Sequence, residues 1–111
     1  MIGGFIIGNN GGGVATVVVR AIGPSLANFG IAGAIQNPTL EFVNSNGTTV
    51  RSNDNWKLDG QQTDLTALGL QPADDRESAV IETVGPGNYT AIVRGSGNTT
   101  GVGLVEVYNV P

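Results

Sequence analysis

VATVVVRAIG, residues Val14–Gly23, decides the fold class of this chain. Valine, threonine and isoleucine crowd the segment, and Gly13 and Gly23 flank it. β-Branched side chains lose χ1 freedom in a helix and pack well on a pleated surface, so the helix reading fails and a strand is expected. Its near-continuous apolar character predicts a strand buried on both faces. Toward the N-terminus, IGGFIIG (Ile2–Gly8) has the same two-sided apolar character and reads as a second strand. NNGGG (Asn9–Gly13) between them offers easy access to positive φ, so the two strands are expected to form a hairpin.

Toward the C-terminus the strand pattern recurs. PSLANFGIAGAIQNP (Pro24–Pro38) reads as a crossover with a single helical turn started by Pro24 and Ser25. TLEFVNSNGTTVRSN (Thr39–Asn53) is a hairpin: Leu40 and Phe42 alternate with Glu41, and Asn46-Gly47 supplies the turn. Asp54–Ser78 lacks strand pattern, and Leu65, Leu68 and Leu70 are expected to pack a short helix or loop onto the core. AVIETV (Ala79–Val84) and NYTAIVRG (Asn88–Gly95) are strands around a Pro86-Gly87 turn. SGNTTG (Ser96–Gly101) is expected to turn the chain into a last strand, VGLVEVYNV (Val102–Val110), whose two faces are both substantially apolar. Seven to eight strands at this spacing predict an all-β sandwich, jelly-roll or immunoglobulin-like, as one domain over residues 1–111.

Composition agrees. The chain has 111 residues, 18 of them glycine, and 13% are charged, about half the usual share of roughly 25%. Net charge is −4, and Arg20, Arg51, Lys57, Arg76 and Arg94 are scattered along the chain. No basic stripe results, which argues against nucleic acid and against an anionic membrane surface as partner. Met1–Ile7 is too short to span a membrane and lacks the basic lead of a signal peptide. An exported form is therefore expected to be a mature piece or one module of something longer.

There is no histidine and no cysteine. That removes the commonest general base, the commonest zinc ligand, thiolate metal sites and disulfides. Lys57 has no serine at a motif spacing. A two-carboxylate hydrolase would have to draw on Asp74, Asp75, Glu77 and Glu82, but Asp74–Glu77 reads as a solvated loop before a strand. The expectation is a non-enzyme. SNDNW (Ser52–Trp56) brings Asn53, Asp54 and Asn55 as hard oxygen donors, and Asp74, Asp75 and Glu77 lie in a second loop. These six are the candidate calcium ligands, at a spacing unlike an EF-hand loop; the competing reading is Asx turns with Trp56 plugging the core edge. Trp56 is also the candidate surface for stacking a sugar. Asn46, Asn88 and Asn98 each open an Asn-X-Thr triplet, a glycosylation acceptor where the host modifies it.

Several blocks occur in order: VVVRAIGPSLANFGIAG, NPTLEF, SNDNW, DDRESAV and PGNYTAIVRGSGNTTGVGLVEVYNV. Together they resemble a β-rich repeat domain of long secreted and surface proteins of environmental bacteria, over nearly the whole chain. PGNYTAIV alone is similar to prepeptidase C-terminal-type sandwiches. The resemblance implies an extracellular or cell-surface, non-catalytic module, often in tandem. In that pattern a further strand-like segment precedes MIGGFII, and here it does not. An unpaired strand neighbour recruits another strand, so complementation by a copy of the same chain is expected, head-to-tail or between tandem repeats. The candidate contact strands are Met1–Gly8 and Val102–Pro111, with Ile2, Phe5, Ile6, Ile7, Leu104, Val105, Val107 and Tyr108 as contact residues. The function expected is a subunit or repeat module of a fibre or surface layer. The alternative is a surface module binding glycans or calcium.

Overall fold

The computed structural model describes residues 2–7, 13–58 and 60–110, without the side chains of Ile2 and Asn98. Among these residues the strands are β1 (Ile2–Ile7), β2 (Ala15–Ile22), β3 (Pro38–Val43), β4 (Thr49–Asn53), β5 (Ser78–Val84), β6 (Gly87–Gly95) and β7 (Leu104–Val110). A 3₁₀ segment, Pro24–Phe29, follows β2, and a short helix α1, Gln62–Ala67, lies between β4 and β5. The strands form two antiparallel sheets, in the order β1-β6-β3-β4 and β5-β2-β7. The all-β sandwich and the helical turn in the crossover are as the sequence predicts.

β2 is buried on both faces, again as predicted. Val17, Val19 and Ala21 meet Leu40 and Phe42 of β3, Val80 and Val84 of β5, and Ala91 and Val93 of β6 between the sheets. On its other face Val18 packs with Ala79, Trp56 and Leu65, so α1 and the loop before it form a third layer over the smaller sheet. Ile22, Leu26 and Ala34 close one end. Gly23 sits where the chain leaves β2, so close to the next segment that a Cβ there would lie 2.1 Å from the Ile35 carbonyl oxygen.

Pairing departs from the sequence reading in two places. β1 and β2 do not form a hairpin. β1 pairs with β6, from Ile2 opposite Ile92 to Ile7 opposite Gly87, and β2 lies in the other sheet. Similar apolar runs do not reveal partnership. Asn9–Gly12 of the expected turn lie outside the described residues. Ser96–Gly101 is likewise no hairpin turn: β6 and β7 belong to different sheets, and Val102 makes a parallel bridge to Ala34 before β7 begins. Burial also differs for β1, which is covered on one face only, with Ile6 75% exposed. β7, the other candidate contact strand, lies at a sheet edge.

The remaining elements follow local chemistry. In the β3–β4 turn Gly47 has φ +79°. The Asn44 side-chain oxygen accepts hydrogen bonds from the backbone N–H groups of Asn46 and Thr48, at 3.0 and 3.1 Å. Leu65 is fully buried and Leu70 packs beside it, whereas Leu68, expected in the core, points to solvent at the end of α1.

Candidate functional site

The two lateral sides of the sandwich differ in how they treat their sheet edges. β4 and β5 flank one side, β1 and β7 the other. A free edge presents unpaired N–H and C=O groups that template pairing with another strand, and proteins blunt such edges with charge, bulges or covering groups. The β4/β5 side carries several of these devices. β4 has five residues, and its pairing with β3 is interrupted by an irregularity between Phe42 and Val43. Arg51 of β4 bonds Glu82 of β5 at 3.2 Å, tying the two sheets together. Side chains occupy the outer edge of β5. The Asn53 Oδ1 accepts from the Ala79 N–H (3.0 Å), the Gln61 amide nitrogen donates to the Ala79 carbonyl, and the Gln61 Oε1 accepts from the Ile81 N–H (2.9 Å). The Gln61 amide thus bonds the edge as a neighbouring strand would.

Among the described residues the β1/β7 side has no pairing irregularity, no side chain capping a strand edge and no ion pair between the sheets, and its one charge, Glu106, is held by Arg20 of the same sheet. β1, IGGFII, has no charge and no proline. Its inner face is anchored by Phe5, stacked on Phe42 (5.7 Å between centroids) and on Tyr89 (5.9 Å). β1 passes over β7: a Cβ added to Gly3 would touch Val105 at 3.7 Å. Farther along, the two strands diverge around a cleft of about 590 Å³ with Phe5, Ile7, Val17 and Val107 in its walls.

β7 directs alternate residues to opposite faces. Val105 packs on the core and Val107 is 39% exposed at the cleft. On the outer face Glu106 and Tyr108 meet Arg20 of β2. The Arg20 Nε donates to Glu106 Oε1 at 3.0 Å, its Nη2 contacts the same oxygen and donates to the Tyr108 hydroxyl at 3.2 Å, and its guanidinium lies 5.2 Å from the Tyr108 ring centroid. The Arg20 Nη1 also donates to the Leu70 carbonyl at 3.3 Å. Leu104 borders a second, largely apolar groove of about 520 Å³ with Leu26, Phe29 and Ile31.

The edge groups of β7 follow from the register. On β5, Ala79 and Ile81 turn their polar groups away from β2, toward Asn53 and Gln61. Arg20, opposite Ala79, therefore turns its own toward β7, where it faces Glu106. Antiparallel pairs alternate between bonded and non-bonded. Leu104, Glu106, Tyr108 and Val110 thus bond to β2, and Val105, Val107 and Asn109 present N–H and C=O groups at the open edge.

The structure brings the expected contact residues Phe5, Ile7, Val105 and Val107 to one side. Ile2 pairs through its backbone with Ile92, and Ile6 points outward from the larger sheet. Asn46 is exposed in the β3–β4 turn and Asn88 at the start of β6; the Asn98 side chain lies outside the described residues.

The six residues of the acidic loops have partners within the chain. The Asn53 amide nitrogen donates to the Asn55 carbonyl at 3.0 Å. Turned so that its nitrogen meets carbonyls, the Asn55 amide donates to Asp75 and Asp54 at 3.2 and 3.3 Å. Asp54 is exposed, and its backbone carbonyl accepts from the Ser78 hydroxyl at 2.7 Å. Asp75 pairs with Lys57 at 2.9 Å. Asp74 receives the Arg76 Nε and Nη2 at 3.0 Å each, and these hydrogen bonds hold its carboxyl below the usual range. Glu77, read in sequence as part of a solvated loop, is 0% exposed. Its Oε2 accepts from the N–H groups of Gly23 (2.8 Å) and Ser25 (3.0 Å) and from the Ser25 hydroxyl (2.5 Å), and its Oε1 from the Asp74 N–H (3.1 Å). Among the described residues, no three acidic side chains group as a metal site. Trp56 is 5% exposed, and its indole N–H donates to the Asp74 carbonyl at 3.2 Å. It plugs the edge of the core and does not offer a flat ring face to solvent.

Family models, curated proteins and solved structures give no match to this chain. Among the described residues, no helix is long and apolar enough to cross a membrane.

Proposed function

We propose that this chain is a non-catalytic structural module of an extracellular bacterial fibre or surface layer, and that it associates with copies of itself through the β1/β7 side. The observation that carries this reading is the inequality of the two sides. One has its edge capped by Asn53 and Gln61 and crossed by Arg51–Glu82. The other has uncharged β1, the open edge of β7 and a cleft between them walled in part by Phe5, Ile7, Val17 and Val107. A fold that blunts two edges and leaves two bare favours directed strand pairing over general protection from it. The extracellular, bacterial setting rests on the resemblance of the ordered sequence blocks.

The test compares wild type with a Gly4→Lys/Val107→Lys double variant by sedimentation velocity and negative-stain electron microscopy. A lysine at Gly4 has room, the nearest atom to its Cβ being the Tyr89 carbonyl oxygen at 3.9 Å. A lysine at Val107 is a charge pointing into the cleft, a natural edge-blocking device. The expected result is concentration-dependent association of wild type that the variant loses while keeping its circular dichroism spectrum. A wild type that stays monomeric at its highest soluble concentration overturns the reading.

A further inference from the structure

We propose that β7 pairs with β7 of a second copy, antiparallel about a two-fold axis through Val107, joining two three-stranded sheets into one of six strands. This deepens the edge-assembly reading above and rests on it. The partner is identified by three features of the edge.

First, such an axis places residue i opposite residue 214 − i, and β7 spans Leu104–Val110, so Val107 is its midpoint. All seven residues then pair. Val105 meets the partner's Asn109, Val107 meets the partner's Val107, and Asn109 meets the partner's Val105. These are the residues whose N–H and C=O groups face outward, giving about six new hydrogen bonds, two for each bonded pair. An axis through Glu106 or Tyr108 leaves part of the strand unpaired.

Second, the side chains complement one another in this register. Glu106 lies opposite the partner's Tyr108. The Tyr108 hydroxyl accepts from Arg20 and can donate its own proton to the facing carboxylate. An axis through Glu106 would instead set two carboxylates against each other, which is destabilising in directly opposed pairs.

Third, an added strand finds a depression on each face of the sheet. Its inward side chains meet the cleft beside Phe5 and Val107, and its outward ones meet the groove beside Leu104, Phe29 and Ile31. Strand addition draws affinity from backbone bonds and selectivity from such pockets for alternate side chains. Val110 of the partner lies opposite Leu104, apolar against apolar. Head-to-tail addition would bring this side against the capped edge of β5. In a tandem array, two-fold pairs tie neighbouring chains laterally, and many weak contacts sum to a strong one.

The chain has no cysteine, so a single introduced thiol reports one position. V107C, V105C and E106C are each treated with dibromobimane, which bridges only closely apposed thiols, while association is followed by sedimentation. In the proposed pair the two Val107 Cα atoms are about 5.5 Å apart, whereas the two Val105 positions are offset by four residues along the strand, about 13 Å. V107C is expected to give the bridged dimer, and V105C and E106C are not; mixing V105C with N109C restores it. Bridging of E106C in preference to V107C overturns the register. Association without V107C bridging overturns the two-fold pair but leaves edge assembly standing. No association of any variant or of wild type overturns both.

Discussion

Glu77→Gln isolates the part of the fold least suspected from sequence. The Glu77 carboxylate accepts four hydrogen bonds from three residues and is sealed from solvent. Glutamine keeps the shape but offers one acceptor and one donor. With its oxygen toward Gly23 and Ser25, three bonds survive as neutral ones and the NH₂ faces the Asp74 N–H, donor against donor. The opposite orientation is worse, leaving three donors against the NH₂. Hydrogen bonds to charged groups contribute about 1.5–3 kcal/mol, and an unsatisfied buried donor costs about 1–3 kcal/mol. A loss of about 2–4 kcal/mol is expected. With an unfolding entropy of about 2.1 cal/mol/K per residue over 111 residues, this lowers Tm by about 9–17 °C. Urea unfolding followed by Trp56 fluorescence gives the free energy from the midpoint, provided the slope m is unchanged. Asp75→Asn, which removes only the exposed pair with Lys57, serves as control and is expected to stay within about 0.5 kcal/mol. An E77Q midpoint no lower than that of D75N would refute the reasoning, because it would mean that the Gly23–Ser25 turn does not depend on the carboxylate.

Trp56→Ala, which removes the single tryptophan, is expected to cost about 3–5 kcal/mol in urea unfolding followed by circular dichroism, since it empties the space between β2 and α1. Gly23→Ala drives a methyl group into the Ile35 carbonyl, and a loss above about 2 kcal/mol in urea unfolding is expected. Asp74 is held below its ordinary pKa chiefly by the Arg76 side chain, and Glu41 by the Thr49 hydroxyl and then Arg94. Both contributions are present above the unfolded carboxylate pKa and are lost as pH falls through the folded values. Thermal scans from about pH 5 to pH 2 should therefore show wild type losing more stability than D74N/E41Q. Calcium at one hundred times the dissociation constant of a real site would add about 2.7 kcal/mol; with Asp74 and Glu77 engaged internally and no three acidic side chains grouped among the described residues, no shift in Tm on adding calcium or a chelator is expected.

The strands were legible in the sequence because their signals are local. β2 announces itself through β-branched residues, β3 through the alternation of Leu40, Glu41 and Phe42, and the β3–β4 turn through Asn46-Gly47. Partnership was not legible. Ile2–Gly8 and Val14–Gly23 are both apolar and separated by glycines, as a hairpin would be, yet β1 reaches across to β6 because Phe5 completes a stack with Phe42 and Tyr89. That contact joins residues 37 to 84 positions apart, and no window along the chain registers it. Glu77 misled for the same reason: beside Asp74, Asp75 and Arg76 it reads as solvated, and its four donors become visible only when the Gly23–Ser25 turn is brought against it. Gln61 has no local signature at all, since an amide that caps a strand edge looks like any glutamine before a helix.

The capped edge and the bare one bear on each other. A sandwich with four open edges pairs indiscriminately, and registers slip most easily where strands are flat and glycine-rich. Here β1 carries Gly3 and Gly4 and is the less specific of the two bare edges. β7 carries Glu106 and Tyr108, anchored from beneath by Arg20, and only one two-fold register pairs all of its residues without opposing like charges. Arg20 thus has a second consequence beyond stability. Arg20→Met keeps the bulk against the Tyr108 ring but frees Glu106, so the outer face of the edge loses its fixed pattern. If register is set there, R20M should still associate, and its V107C form should show weaker bridging with E106C bridging emerging beside it. Unchanged selectivity for V107C would move the origin of the register to the inner face, where Val105 and Val107 line the core and the cleft.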